Sequence, residues 1–576
     1  MLSNLPTDPL DFMDWKWSEI EPFYVELAAR PLTAGTVQGW LADWTRLSEL
    51  IWERRSRLHV ANTADTSDKE AEQQFYAFLE EIVPPAQAAE QQLKEKLLAS
   101  GLEPEGMAVP LRKMRVEAEL FRQENLPLLT AEQKLGSQYN KIAGAQTITW
   151  EGQERTLSQM RPVLQADDRA TREAAWRLMA QRQLDDRASL NELWQQLLAL
   201  RRQMAANAGY GDSSGNCDYR AYRWSSLHRF DYTPADCAEF HQAIEAVVVP
   251  AATRIYADRQ RQLGVDKLRP WDLDVDPLGR PPLRPFADPE QLEAISERIF
   301  QQVDPQLGHY FRLMRQEQLL DLPNRKGKGP GAYCTSFPVT KRPFIFMNAV
   351  GIGSDVRTLL HEAGHAFHSF EASVLPYAMQ RHPGAEFAEV ASFSMELLGS
   401  PFLGRAEGGF YDPNDALRHR LEHLEEIILF WPYMAVVDGF QHWVYTNIDA
   451  AADPASCDAA WRDLWQRFMV GIDWSDLEEE MVTGWHRKLH IFRYPFYYVE
   501  YGLARLGAVL VWQQALKEWA TAVRQYRQAL ALGSTVPLPE LYRAAGARFA
   551  FDQETVAAAV SLVEETMQQL ISDLKE

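Results

Sequence analysis

Apolar residues recur at helical spacing along most of this chain, and prolines interrupt the pattern where it stops. From Asp68 to Ser100 the spacing predicts two amphipathic helices divided at Pro84-Pro85, each with a charged face. Helix-turn-helix patterning follows Pro110, from Leu111 to Leu135. Asp167 and Asp168 stand where cap residues belong, ahead of a helix through Arg182 and another to Met204. Strand signals are few. Ile148 to Gly152 reads as a strand entering a turn, and Pro343 to Met347 as a strand after a glycine-rich turn. Such patterning predicts a mostly α fold with a small β element. Prolines at 270, 277, 281, 282, 285 and 289 exclude helix from that stretch, which is either an interdomain linker or a rigid surface loop.

Charge and cysteine content narrow the function classes. The chain of 576 residues carries 59 basic and 80 acidic side chains, a formal charge of −21. A surface that acidic repels phosphate backbones and anionic bilayers, so nucleic acid and membranes are not the expected partners. The most apolar stretch, Ile427 to Val437, is too short to span a bilayer and contains Pro432. The N-terminus MLSNLPTDPLDFMDW has neither a basic nor an apolar signal region. Four cysteines, none at C-x-x-C spacing, make a disulfide framework or a cysteine zinc site an unexpected feature. The expected compartment is the cytoplasm.

The residues that carry chemistry are His361-Glu362-Ala363-Gly364-His365. On a helix, positions i and i+4 lie one turn apart, so both imidazoles reach one metal ion. Glu362 between them stands beside that ion, where it can take a proton from water. Asp355 is a plausible N-cap and no proline occurs until Pro376, so the motif is expected inside a helix. Leu359, Leu360, Ala363, Phe367 and Phe370 share its apolar face, and His361, His365 and His368 the opposite one.

A catalytic zinc needs a third protein ligand. A third histidine at metzincin spacing is absent: His368 occupies the glycine position and Glu371 the histidine position. Glu371 would lie about 9 Å further along the same helix, on another face. Pro376, Pro383 and Gly384 let the chain reverse into a new helix over about 385–398. Glu386, Glu389 and Glu396 share one side of it, and Glu389, one turn in, is the best placed ligand. Glu386 falls in the first turn and reads as a cap. Glu396 reads as the partner that orients a ligating histidine.

At this point a resemblance becomes specific. TLLHEAGHAFHS, followed after a loop by FAEVASFSMELL, resembles the oligoendopeptidase F branch of the thimet-oligopeptidase-like zinc metallopeptidases. KGKGPGAYCTSF, PFIFMNAVG, the segment from His490 to Tyr501 and ITWEGQERTL are similar to further family segments, and the likeness runs from Thr147 to Leu506. The resemblance implies a two-lobed helical metallopeptidase with a deep substrate channel and a small β element beside the zinc. One Zn2+ per chain would be held by His361, His365 and Glu389, with Glu362 as general base. It implies His490 and a tyrosine, Tyr501 or Tyr494, as donors to the transition state. Gly331, Ala332 and Tyr333 in the loop, Phe346 in the strand and Tyr498 would contact substrate. The strand Phe344 to Met347 is either core or an edge that pairs with extended peptides. The expected division is an N-terminal helical region over 1–200 and a catalytic region over 201–576, its lobes discontinuous if need be. The expected activity is endopeptidase cleavage of short unstructured peptides. The alternatives are a zinc carboxypeptidase on a similar scaffold, or a non-enzymatic helical protein with a vestigial motif.

Overall fold

Where prolines fall decides where helices begin. Pro84 and Pro85 occupy the first turn of the helix Val83–Ser100, where a missing N–H removes no helical bond, and Gly101 at φ 66° ends it. The preceding helix is Lys69–Glu81, capped by the Asp68 side chain on Glu70 and Ala71 N–H. Asp168 likewise caps Arg169–Asp185. The computed structural model describes residues 4–212 and 217–575, most of them helical.

Five short strands complete the described residues. Strands β1 (Thr147–Trp150) and β2 (Gln153–Thr156) form a hairpin whose turn residues, Glu151 and Gly152, have φ of 51° and 77°, as a tight hairpin turn requires. Strands β3 (Leu320–Pro323), β4 (Tyr333–Phe337) and β5 (Arg342–Ala349) form a sheet in the order β3-β5-β4, parallel on one side and antiparallel on the other. The strand read as a possible edge is therefore the central one. Phe344 to Met347 is paired on both sides, and the outer strand near the metal motif is β4.

Apart from a small cluster of Ile148, Met160, Leu164 and Ala175, the apolar core divides in two. A smaller one gathers side chains from Leu5 to Met114, with Tyr377, and a larger one begins at Leu135. Side chains of the helices Asn125–Gly144 and Arg187–Ala205 contribute to the larger core. Glu53, fully buried, ties its helix to the turn at Val339 and Thr340. Its carboxylate takes Arg57 at 2.7 Å, the N–H groups of Val339 and Thr340 at 2.9 and 3.1 Å, and the Thr340 hydroxyl. The proline-rich stretch is a rigid loop of the larger body, not a linker. Asp272 pairs with Arg169 and Arg172, and Asp276 with Arg280 and Arg418.

The motif helix runs Gly353–Ala372, with Leu359, Leu360, Ala363, Phe367 and Phe370 buried. Asp355 sits at its third position rather than at the cap, and its carboxylate accepts from Val350, Gly351 and Ile352 N–H. A second helix, Ala385–Gly399, packs against both the motif helix and a third, Tyr498–Lys517. Contact with the motif helix is closest at Gly364. A Cβ there would lie 2.6 Å from the Ala391 carbonyl oxygen and 2.6 Å from Ser392 Cα, so only glycine fits. No helix among the described residues is long and apolar enough to cross a membrane.

Candidate metal centre

The close approach at Gly364 brings Glu389 onto the two motif histidines. Glu389 Oε2 lies 3.2 Å from His361 Nε2 and 3.4 Å from His365 Nε2. A tetrahedral zinc with bonds of 2.0–2.1 Å holds its ligand atoms about 3.3–3.4 Å apart, so the three donors already have the spacing of one coordination sphere. Glu371 is elsewhere, paired with Arg527 at 2.8 Å. Glu386 is not a cap: its carboxylate is buried and accepts from the Tyr232 hydroxyl at 2.6 Å.

Two of the three converging side chains, His361 and Glu389, are fixed from behind. His361 Nδ1 meets Glu396 Oε1 at 2.8 Å, which leaves Nε2 as the outward donor. The other Glu396 oxygen pairs with His423 Nε2 at 2.9 Å. Glu389 also accepts from Ser392 Oγ at 2.9 Å and from the Tyr497 hydroxyl at 2.7 Å. Burial alone would lower the His361 pKa, but carboxylates on both its ring nitrogens raise it to about 10. The cluster is thus built around a positive charge, supplied by protons or by a cation. The residues present fit a zinc ion.

Glu362 is buried and its Oε2 has no hydrogen-bond partner. Desolvation raises its carboxyl pKa, the shift a general base for a water molecule needs. His490 Nε2 lies 3.0 Å from the Tyr501 hydroxyl oxygen, and burial lowers the His490 pKa to about 3, so the ring is neutral. The Tyr501 phenol is raised by burial first and then by the charges of Glu389 and other neighbours, Glu362 among them.

Several expected contacts turn elsewhere. Tyr498 is buried and its hydroxyl accepts from Lys488 Nζ at 3.0 Å. Phe346 is 0% exposed, stacked on Tyr333 at 4.7 Å, so its side chain cannot meet a substrate. Tyr333 itself reaches Thr63 Oγ1 at 2.6 Å, across to the smaller core. Tyr494, Tyr498 and Tyr501 do not share a helix, because Phe496 at φ 65° breaks the chain and the helix starts at Tyr498. Tyr494 lies outside it, 38% exposed. His368 does not face the cleft but packs edge-on against Phe387. Gly331 does line a cleft, shared with Pro330, Asn348, Lys488 and His490, and Ala332 follows it at half-burial.

Sequence reasoning missed Tyr497 and His423. Tyr497 precedes the helix and so falls outside a helical count. His423 follows His419 by one turn on the long helix Pro413–Thr446, and that spacing is the signal that marks it.

The chain resembles known proteins over almost its whole length. A crystal structure assigned as an oligoendopeptidase F superposes with a TM-score of 0.90 at 27% identity, covering 98% of both chains. PZ peptidase A with an inhibitor gives 0.90 at 26%, covering 99% of both. Oligopeptidase PepF of Bacillus subtilis is 26% identical over 345 residues, 57% of this chain and 48% of that protein. The chain spans less than half the length of the curated relatives it matches. Residues 163–560, which hold every donor of the metal centre, match the family profile described as Peptidase family M3, and the chain belongs to that family.

Proposed function

We propose that this chain is a zinc-dependent oligoendopeptidase that cleaves internal bonds of short, unstructured peptides. The observation that carries the reading is the convergence of His361, His365 and Glu389, with the unpaired carboxylate of Glu362 beside them. Bound there, zinc would supply Lewis acidity to a scissile carbonyl and lower the pKa of water. Glu362 takes the proton of the attacking water and passes it to the leaving amine. With its proton on Nε2, His490 donates to the Tyr501 oxygen, and the phenol hydrogen is then free for the developing oxyanion. The outer edge of β4 and the loop at Gly331 would hold the peptide backbone. An acidic chain with four unpaired cysteines suits a reducing cytoplasm.

The reading is tested on a flexible peptide blocked at both ends. Cleavage inside the sequence, abolished by a strong chelator and restored by zinc, is the expected result. A requirement for a free carboxyl terminus would overturn it in favour of a carboxypeptidase.

Two predictions concern the ligand set. Glu389→Gln should remove one bound zinc per chain, whereas Glu371→Gln and Glu386→Gln, in their folded fractions, should keep it. Metal analysis after desalting reads this directly, and loss of zinc from Glu386→Gln alone would show the wrong glutamate was chosen. Glu396→Gln removes the anionic acceptor behind His361 Nδ1. It should weaken zinc binding about 10–100-fold without changing its stoichiometry at saturation, measured by competition with a chromophoric chelator.

A further inference from the structure

A second cluster of donors lies on other helices. Cys237 and His241 stand one turn apart on the helix Pro234–Ala243, and Asp438 and His442 one turn apart on the long helix. The i, i+4 spacing puts each pair on one helix face, so two helices present two donors each. Cys237 Sγ, a carboxylate oxygen of Asp438 and a ring nitrogen of His442 lie within 4.8 Å of one another. His442 Nε2 is 3.3 Å from Asp438 Oδ2, and His241 Nε2 is 2.9 Å from the same oxygen.

Both nitrogens lie within ion-pair distance of Asp438, but neither is aimed along a well-formed hydrogen bond to it. Both Asp438 oxygens, His241 Nε2 and His442 Nε2 are buried without a hydrogen-bond partner. Nitrogens this close to an oxygen but not aimed at it are what donors look like when they point at a common centre. The spacing parallels the 3.2 and 3.4 Å between Glu389 and the motif histidines. Asp438 is 0% exposed, and among the described residues no lysine or arginine pairs with it. A carboxylate so placed needs positive charge nearby, supplied by protons on the two histidines or by a metal cation. The rings of Trp224, Phe468 and Phe496 wall the histidines and offer no competing donor set. The His241 and His442 side chains remain 12% and 15% exposed, which leaves an approach for an ion.

We propose that Cys237, Asp438 and His442 bind a second zinc ion that clasps the helix Pro234–Ala243 to the long helix. A thiol, an imidazole and a carboxylate suit zinc and disfavour magnesium or calcium. Binding releases the thiol proton to solvent and leaves a thiolate on the metal. The expected count rises from one zinc per chain to two.

Cobalt(II) separates the two sites, because the motif centre contains no sulfur. The full-length protein, loaded with cobalt and desalted, should hold about two metal ions per chain and show a thiolate-to-cobalt charge-transfer band. Cys237→Ser should lose the band and one ion. The double variant His361→Ala/His365→Ala should lose the other ion and keep the band. Wild-type protein with one ion and no band, falling to none in the double variant, would overturn the proposal. Should Cys237→Ser fail to fold, the double variant decides alone: a band there supports the site and its absence refutes it. Failure of the motif centre would appear instead as a double variant with unchanged metal content.

Discussion

Glu362→Gln should fold, keep its zinc and lose about 10²–10⁴ of kcat, the usual contribution of a positioned general base. The substitution preserves shape, and the residue is not among the three converging donors, so metal content should match the wild type. What it removes is the buried carboxylate proposed to take a proton from water beside the ion. The side chain is buried and its Oε2 unpaired, so the new amide N–H group will be poorly satisfied. A loss of stability of about 1–3 kcal/mol is the expected accompaniment, too small to unfold a chain of this size. Parallel measurement of kcat, zinc content and thermal midpoint checks all three. A variant with full turnover would remove Glu362 from the chemistry, and a metal-free one would make it a ligand.

The second large effect is expected at Tyr501. Removing its hydroxyl in Tyr501→Phe keeps the ring among Phe393, Tyr497 and Tyr498, so packing should survive. A donor aimed at the oxyanion acts mainly in the transition state, so kcat should fall while KM changes little. The expected loss is about 10²–10³, or 3–4 kcal/mol. His490→Ala should give a comparable loss, since His490 holds the phenol oxygen at 3.0 Å. The two losses should not add in the double variant, because each removes the same hydrogen-bonded pair. Near-normal kcat in Tyr501→Phe would exclude it as donor and leave Tyr494, the exposed phenol, to be tested next. Tyr498 and Tyr497 are poorer candidates, their hydroxyls being engaged by Lys488 and Glu389.

The parts of this molecule legible in its sequence are those where local rules act alone. Helix starts at Pro84-Pro85 and Asp168, and the apolar face of the motif helix, follow from spacing and capping chemistry. Glu389 was reachable because a reversal at Pro383-Gly384 fixes which turn of the next helix comes back to the histidines. What stayed hidden depends on partners distant in the chain. That β5 is central rather than an edge follows from β3, whose four residues carry almost no strand signal. Phe346 and Tyr498 are expected at the substrate only through the family resemblance, and resemblance of a segment does not give side-chain direction. The break at Phe496, which sets Tyr494 apart from the helix carrying Tyr498 and Tyr501, was not legible, since a non-glycine residue at positive φ has no reliable sequence mark. The tie between the helix carrying Glu53 and the turn at Val339 and Thr340 is long-range, and no window of local sequence contains it.

Gly364 carries a consequence for how such motifs are searched. Written H-E-x-x-H, the pattern treats its two inner letters as wild cards, and a search built on it weighs every residue there equally. In this chain neither letter is free. Ala363 is packed in the core and Gly364 meets the neighbouring backbone at a distance no side chain could tolerate. The glycine therefore encodes something the histidines cannot: that a second helix crosses here, near enough to deliver a glutamate. A search demanding small residues at both inner positions, followed by a glutamate on the next predicted helix, would select for this geometry of ligand delivery and reject helices whose paired histidines are coincidental.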